Sequence, residues 1–386
     1  MRQNNEYMLY KINGIPYLLP FGQGIADFRR GVQLNETGAY VWDLLSEEIS
    51  EEEILIRCAS HFQADDNELP NLKADILHFL TQLKLRSILT DTPCRPPSNT
   101  PFQCLLIGGL TIKLFGPSEY FSAGFSSFAA DNPASNTADQ TISLQPCLPG
   151  THPLGLVLLR NSRLEVMKNN DEYILVFPSA AAPLEARLSP DGSNVLIHAA
   201  GIPSEPFVKD IFHAVRLCYL FLAQQRGLFA LHSASFLYRE HIWLFSGHSG
   251  AGKSTHTNLW KELWQVPLIN GDLNLLDTAG SVPGVHGLPW CGTSEISTPG
   301  VWPLGGIIFL RQAPCNAVEQ LSPEEKHLLI AQHLISPTWT KEQAVLALNA
   351  AGKLYPHILV CRLCCTREPA AAETMRTAMD QWLDCK

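Results

Sequence analysis

Positive charge is scarce in this chain. Its 386 residues carry 28 Lys and Arg against 37 Asp and Glu, a formal net charge of −9. A protein held to nucleic acid by phosphate contacts needs the opposite balance, so no nucleic-acid partner is expected. Long apolar runs are also missing. The most hydrophobic stretch, residues 214–238, is broken by Arg216, Gln224, Gln225 and Arg226, so no membrane span is expected. The opening residues, Met1-Arg2-Gln3-Asn4-Asn5-Glu6, lack the apolar centre of a secretion signal. Eleven cysteines without such a signal point to reduced thiols in a cytoplasmic protein. The cluster Cys361-Arg362-Leu363-Cys364-Cys365 has no second Cys/His pair at zinc-finger spacing. It reads as a strand with small buried hydrophobes. The guanine-reading pattern N-K-x-D is absent, so Asp277-Thr278-Ala279-Gly280 reads as a turn between strands and not as a GTPase switch.

The chain is long enough for two domains, and its 46% hydrophobic content can fill sizeable cores. Residues 92–101 are dense in proline, which suits neither a helix nor a central strand. They read as a semi-extended linker between a unit at 1–91 and a larger one at 102–386. The first unit shows a hairpin signal, Asn13-Gly14, between the apolar segments 7–12 and 15–19. Asn35 can cap a helix whose apolar face is Val41, Leu44 and Leu45. Ser50-Glu51-Glu52-Glu53 reads as a capping box for a second helix, and Pro70 opens a third. A hairpin and three short helices predict a winged-helix arrangement. The second unit reads as mixed α/β: strands near 104–114, 163–167, 173–177, 186–188 and 194–199, a long helix over 206–225, and further strands to Arg311. Ser322-Pro323-Glu324-Glu325 then opens a helical C-terminal part.

One motif dominates the larger unit. Gly247-His248-Ser249-Gly250-Ala251-Gly252-Lys253-Ser254-Thr255 fits G-x-x-x-x-G-K-[ST], a phosphate-binding loop. Its glycines let backbone N–H groups converge on phosphate oxygens. Lys253 is placed to reach the β- and γ-phosphates of ATP, and the Ser254 hydroxyl to hold Mg²⁺. The flanks agree. His241 to Phe245 reads as a buried strand, and residues 257–264 as a helix with Leu259, Trp260, Leu263 and Trp264 on one face. Downstream, the short strand before Gly271-Asp272 ends in an acid able to bind Mg²⁺ or accept a proton from an attacking hydroxyl. His232 lies on the strand ahead of the loop strand. Glu295 and His286 are weaker candidates.

These motifs, in order, resemble the HPr kinase/phosphorylase-like family, whose nucleotide core is shared with phosphoenolpyruvate carboxykinases. Leu231-His232-Ser233, residues 247–255, Ile269-Asn270-Gly271-Asp272, Gly287-Leu288-Pro289-Trp290 and Gly305-Gly306-Ile307-Ile308 carry the likeness. It implies a Mg²⁺-dependent kinase for a serine hydroxyl, with Asp272 as base or metal ligand and His232 beside the transferred group. One departure stands out: the family has two adjacent acids where this chain has Gly271-Asp272. HPr itself is not the expected substrate, since its recognition features are not identifiable. Leu34-Asn35-Glu36-Thr37-Gly38-Ala39-Tyr40-Val41-Trp42-Asp43-Leu44-Leu45 resembles the PqqD-like peptide chaperones, which bind the leaders of ribosomally made, modified peptides. A winged-helix DNA binder is the alternative, and the acidic runs at 47–48 and 51–53 oppose it.

Together the halves predict an ATP-dependent kinase that phosphorylates a Ser or Thr of a leader-captured precursor peptide. Two rivals stay open: a nucleotide-gated peptide chaperone, and a kinase for free serine or another small hydroxyl compound. A homo-oligomer is compatible with the sequence.

Overall fold

The computed structural model describes residues 2–3, 7–20, 31–47, 49–65, 68–85, 88–90, 101–130, 138–149, 155–169 and 171–385. The expected linker lies outside them, Pro101 apart.

The N-terminal part follows its local signals. Strands β1 (Arg2–Gln3), β2 (Tyr7–Ile12), β3 (Ile15–Pro20), β4 (Val32–Gln33) and β5 (Leu89–Thr90) form two small sheets, β1-β5 and β2-β3-β4. Ile12 faces Ile15 across the hairpin, and both turn residues, Asn13 and Gly14, take positive φ. That backbone matches the twist of the flanking strands. Helices α1 (Glu36–Leu44), α2 (Glu51–His61) and α3 (Leu69–Leu85) follow. Asn35 caps α1, its Oδ1 accepting the Gly38 N–H at 2.7 Å. Ser50 caps α2 by accepting the Glu53 N–H at 3.1 Å. The expected capping box is only half made there, because Arg57 donates to the Glu53 carboxylate at 2.8 Å. A partner one turn along competes for that carboxylate. The core gathers Leu18, Val41, Trp42, Leu45, Ile54 and Leu80, all from residues 7–89.

A second layer begins at Gln103. An eight-stranded sheet runs in the order β6 (Gln103–Ile107), β7 (Leu110–Phe115), β8 (Gln140–Gln145), β13 (Asn194–Ala199), β12 (Leu184–Leu188), β11 (Tyr173–Val176), β10 (Glu165–Lys168) and β9 (Leu156–Arg160). The sequence reading does not anticipate β8 and β9. Parallel pairing of β8 with both β7 and β13 comes from crossovers, which leave no hairpin signal. Helix α4 (Glu205–Gln225) buries Phe207, Ile211, Val215 and Phe221 in a core shared with Ile112, Ile142, Ala186 and Ile197 of this sheet.

The C-terminal strands are β14 (Leu228–Tyr238), β15 (His241–Ser246), β16 (Leu268–Asn270), β17 (Leu273–Asp277), β18 (Gly284–His286), β19 (Val301–Gln312), β20 (Ala317–Gln320) and β21 (Leu359–Cys365). Strand β14 pairs with β15 through residues 233–238 and with β17 through residues 228–232. β17 pairs with β18, β18 with β19, and β19 returns in parallel to β15. Five strands thus close a ring. β19 also carries β21 in parallel, with β20 beyond it. Helices α5 (Lys253–Trp264) and α8 (Pro369–Asp384) pack where Phe236, Trp243, Trp260, Leu363 and Met375 meet. Helices α6 (Pro323–His333) and α7 (Lys341–Leu354) pack with Leu231, Ile307, Ile330, Leu354 and Val360. Full capping boxes open both of these, from Ser322 and Thr340. On α5 the buried stripe runs through His256, Thr257 and Trp260. Leu263 falls at its edge and is 39% exposed, contrary to the expected apolar face.

Cys361, Cys364 and Cys365 are buried free thiols on β21, as expected. Among the described residues no group of three or more His, Cys, Asp or Glu could hold a metal ion. Cys147 corrects the expectation of uniformly reduced thiols, for it is disulfide-bonded. A disulfide depends on two sulfurs meeting in the fold, which spacing along the chain does not reveal. No helix among the described residues is long and apolar enough to cross a membrane.

Candidate functional site

Strand β15 ends at Ser246, the loop 247–252 follows, and α5 starts at Lys253. Gly247, Gly250 and Gly252 have φ of 147°, 81° and 104°, a backbone that side chains resist. Lys253 Nζ donates to the carbonyls of Gly247 at 3.0 Å and His248 at 3.3 Å. Burial lowers the Lys253 pKa, and the negative charge of Asp272 opposes that shift. Gln312, at the end of β19, donates to the Gly250 carbonyl at 3.0 Å and ties the loop to the sheet. Ser254 and Thr255 present exposed hydroxyls on the first turn of α5.

His232 sits where β14 passes from pairing with β15 to pairing with β17. Its Nδ1 lies 3.1 Å from the Asp272 main-chain oxygen and 3.3 Å from Asp272 Oδ1. Both are acceptors, so Nδ1 carries the proton and Nε2 is left without it in the neutral ring. The bond from His232 holds Asp272 below the usual carboxylate range. Burial works against that, while the charges of His232, Arg216 and Lys253 reinforce it.

A buried polar network sets the Asp272 backbone. Asn270, 1% exposed, accepts the N–H groups of Asp272 at 2.9 Å and Leu273 at 3.0 Å on its Oδ1. Its Nδ2 donates to the Leu288 carbonyl at 3.0 Å. Its own N–H donates to Ser235 Oγ at 3.0 Å, and that hydroxyl donates to Asn274 Oδ1 at 2.7 Å. Asn274 Nδ2 closes the network on the Ser233 carbonyl at 2.7 Å. Sequence reasoning misses the parts played by Ser233, Ser235 and Asn274. The signal was there: small polar residues inside strands that are otherwise apolar, which burial requires to be hydrogen-bonded.

Gly271 has no room for a side chain. A Cβ there would lie 2.2 Å from Ser294 Oγ and 2.3 Å from Ser294 Cβ. Ser294 is itself held, its Oγ donating to the Cys291 carbonyl at 2.7 Å and accepting the Ile296 N–H at 3.2 Å. The second acid of the resembled family is thus excluded here by a neighbouring loop.

These segments enclose a cavity of about 650 Å³. Ser249, Gly250, Gly252, Lys253, Ser254, Thr255, His232 and Asp272 all line it. Gly247, His248 and Ala251 complete the loop without lining the cavity. Neither weaker candidate lines it. His286 pairs with Asp277 at 3.6 Å, and Glu295 stands on a positive-φ backbone of 56° outside the lining. The sequence reading overlooks Arg367, which does line it, and Arg216, whose charge reaches Asp272 from α4.

The N-terminal helices are a different matter. Residues 25–89, which contain α1 to α3, match the family model described as coenzyme PQQ synthesis protein D (PqqD). Residues 25–89 are a PqqD domain. Ahead of the PqqD domain, the β2–β3 hairpin turns Met8, Tyr10, Ile12 and Ile15 outwards, at 46%, 56%, 45% and 42% exposure. Ile12 and Ile15 are cross-strand partners, and the alternation along β2 puts Met8 and Tyr10 on the same face. No curated protein matches the chain.

Proposed function

We propose that this protein is a peptide-tailoring kinase. The PqqD domain takes the leader of a ribosomally made precursor, and the C-terminal part, read as an HPr kinase-like phosphate-loop unit, moves the γ-phosphoryl group of ATP to a Ser or Thr hydroxyl. One observation carries this reading: a lysine, a helix-start serine and an ionised, histidine-bonded aspartate line a single cavity. Mere nucleotide binding has no need of the last of these.

Each residue then has a task. The loop N–H groups and Lys253 grip phosphate oxygens at the N-terminus of α5, where the helix dipole favours anions. Ser254 and Asp272 offer the oxygen donors that a hard cation prefers. Mg²⁺, when bound, offsets charge on the phosphates. Asp272 takes the proton of the acceptor hydroxyl as its oxygen bonds to the γ-phosphorus and the bond to the bridging oxygen breaks. His232, donating from Nδ1, orients the carboxylate and keeps it ionised. Meanwhile the precursor's leader adds along a strand edge of the N-terminal sheet, with side chains seated on apolar surface. Tethering raises the local concentration of the acceptor, so the cavity needs little affinity of its own.

The test uses the full chain, ATP–Mg²⁺ and precursor peptides encoded beside the gene. Mass spectrometry should show one added phosphate, with turnover of leaderless peptide lower by about 10²–10⁴-fold. Lys253→Ala should abolish turnover in a folded protein. Equal turnover of both peptides would remove the leader role, and an unaffected Lys253→Ala variant would remove the phosphate-loop role.

A further inference from the structure

Arg367 lines the cavity from a segment with no task so far. It lies between β21 and α8, on a backbone tied at both sides. The Thr366 N–H donates to Asn316 Oδ1 at 2.8 Å, and the Glu368 N–H to Thr366 Oγ1 at 3.2 Å. The arginine is exposed, and among the described residues its guanidinium has no ion pair or hydrogen bond. A free cation on an anchored backbone, facing a phosphate loop, is a ligand group in waiting.

Strand order says which part of a ligand it meets. Pairing runs β14-β15-β19-β21. β15 delivers the loop, β14 carries His232, and β21 leads into Arg367. Adjacent strands are about 4.8 Å apart, so Arg367 and the His232–Asp272 pair flank the loop from opposite sides. The parallel strands β15, β19 and β21 all end at this edge, where ligands of open parallel sheets bind. A triphosphate laid along the loop with its transferred end at Asp272 points its other end towards Arg367. That end bears the α-phosphate and the ribose.

We propose that Arg367 binds the nucleoside end of the donor, at the α-phosphate or ribose, and so makes the donor a nucleoside triphosphate and not inorganic pyrophosphate. It rests on the phosphate-loop reading of residues 247–255. The guanidinium fork suits phosphate oxygens and keeps its charge at any working pH. Pyrophosphate fills only the positions served by Lys253 and the loop amides.

Calorimetric titration of the full chain with ATP–Mg²⁺ and with pyrophosphate–Mg²⁺ tests this, in the parent protein and in Arg367→Ala, Arg367→Lys and Lys253→Ala variants. Arg367 is exposed, so the first two variants should fold. Arg367→Ala should weaken ATP by roughly tenfold to a hundredfold, the loss of a charged hydrogen bond. Arg367→Lys should recover part of it. Pyrophosphate affinity should stay within about twofold, while Lys253→Ala should weaken both ligands. Equal losses for the two ligands in Arg367→Ala, no loss for ATP, or a parent protein that binds pyrophosphate as tightly as ATP would each overturn the assignment. Unchanged binding of both ligands in Lys253→Ala would instead bring down the phosphate-loop reading beneath it.

Discussion

The two ends of this chain reach a stable shape by different routes. The PqqD domain and its hairpin are assembled from neighbours in sequence: α1, α2 and α3 follow one another around a single small core. The C-terminal part closes a ring of five strands and braces it with two further clusters of helix and sheet residues. Its cavity draws on segments as far apart as His232, Asp272, Ser294 and Arg367. On the proposed reading, recognition belongs to the open sheet face and edge of the first. The cavity assigned the chemistry lies where distant segments of the second meet. A small, locally built module is easily moved between proteins, whereas a site made of long-range pairings holds its groups more firmly.

The sharpest way to break this division of labour is to disable one end and watch the other. Asp272→Asn keeps the side-chain volume but removes the base. Phosphoryl transfer should fall by about 10²–10⁴-fold. ATP and leader affinities should change little, as titration of each ligand would show. Full turnover in that variant would move the chemistry elsewhere.

Truncating one tryptophan in each core asks the same of stability. Trp42 is 2% exposed in the N-terminal core, and Trp260, on the buried stripe of α5, is fully buried in the C-terminal part. Either change to alanine should cost about 3–5 kcal/mol. A unit as small as the N-terminal one has little stability to spare. Trp42→Ala should therefore abolish leader binding and leave the ATP-binding transition in urea where it was. If that transition shifts by a comparable amount, the two cores unfold as one and the comparison fails.

The smallest effect is one of pH. Burial is the first cause lowering the pKa of His213, His256, His286 and His333 from the ordinary 6.5. The unfolded chain takes up protons at these sites before the folded one does. Their contribution is thus complete above 6.5 and is lost as pH falls through the folded values. The C-terminal thermal midpoint should drop progressively as buffer pH is taken below 6.5, and scanning calorimetry would record it. A flat profile would mean that these imidazoles are not held neutral.

Legibility along the sequence follows the same line. Caps at Asn35 and Ser50, the Asn13-Gly14 turn and the loop at 247–255 are local, and each is found where its residues placed it. The Glu53 carboxylate was misassigned because a neighbour one turn away took it. Strand β8, the closure of the ring and the entry of Arg367 into the cavity depend on pairings between remote segments. No periodicity encodes those. The polar network under Asp272 was visible only as an oddity, serines at alternate positions of the buried strand β14.

The contact between Gly271 and Ser294 bears on how this site can change over generations. A second carboxylate at 271 collides not only with the Ser294 hydroxyl but with its Cβ, so even alanine at 294 would stand in the way. Gly271→Asp alone should therefore be damaging, and so should most pairs that include it. A lineage could gain the acid most directly after 294 had first become glycine, a change with no benefit of its own. Residues in direct contact couple in this non-additive fashion. The single aspartate is in that sense a local trap: a site with one carboxylate is separated from a site with two by an order in which the mutations must come.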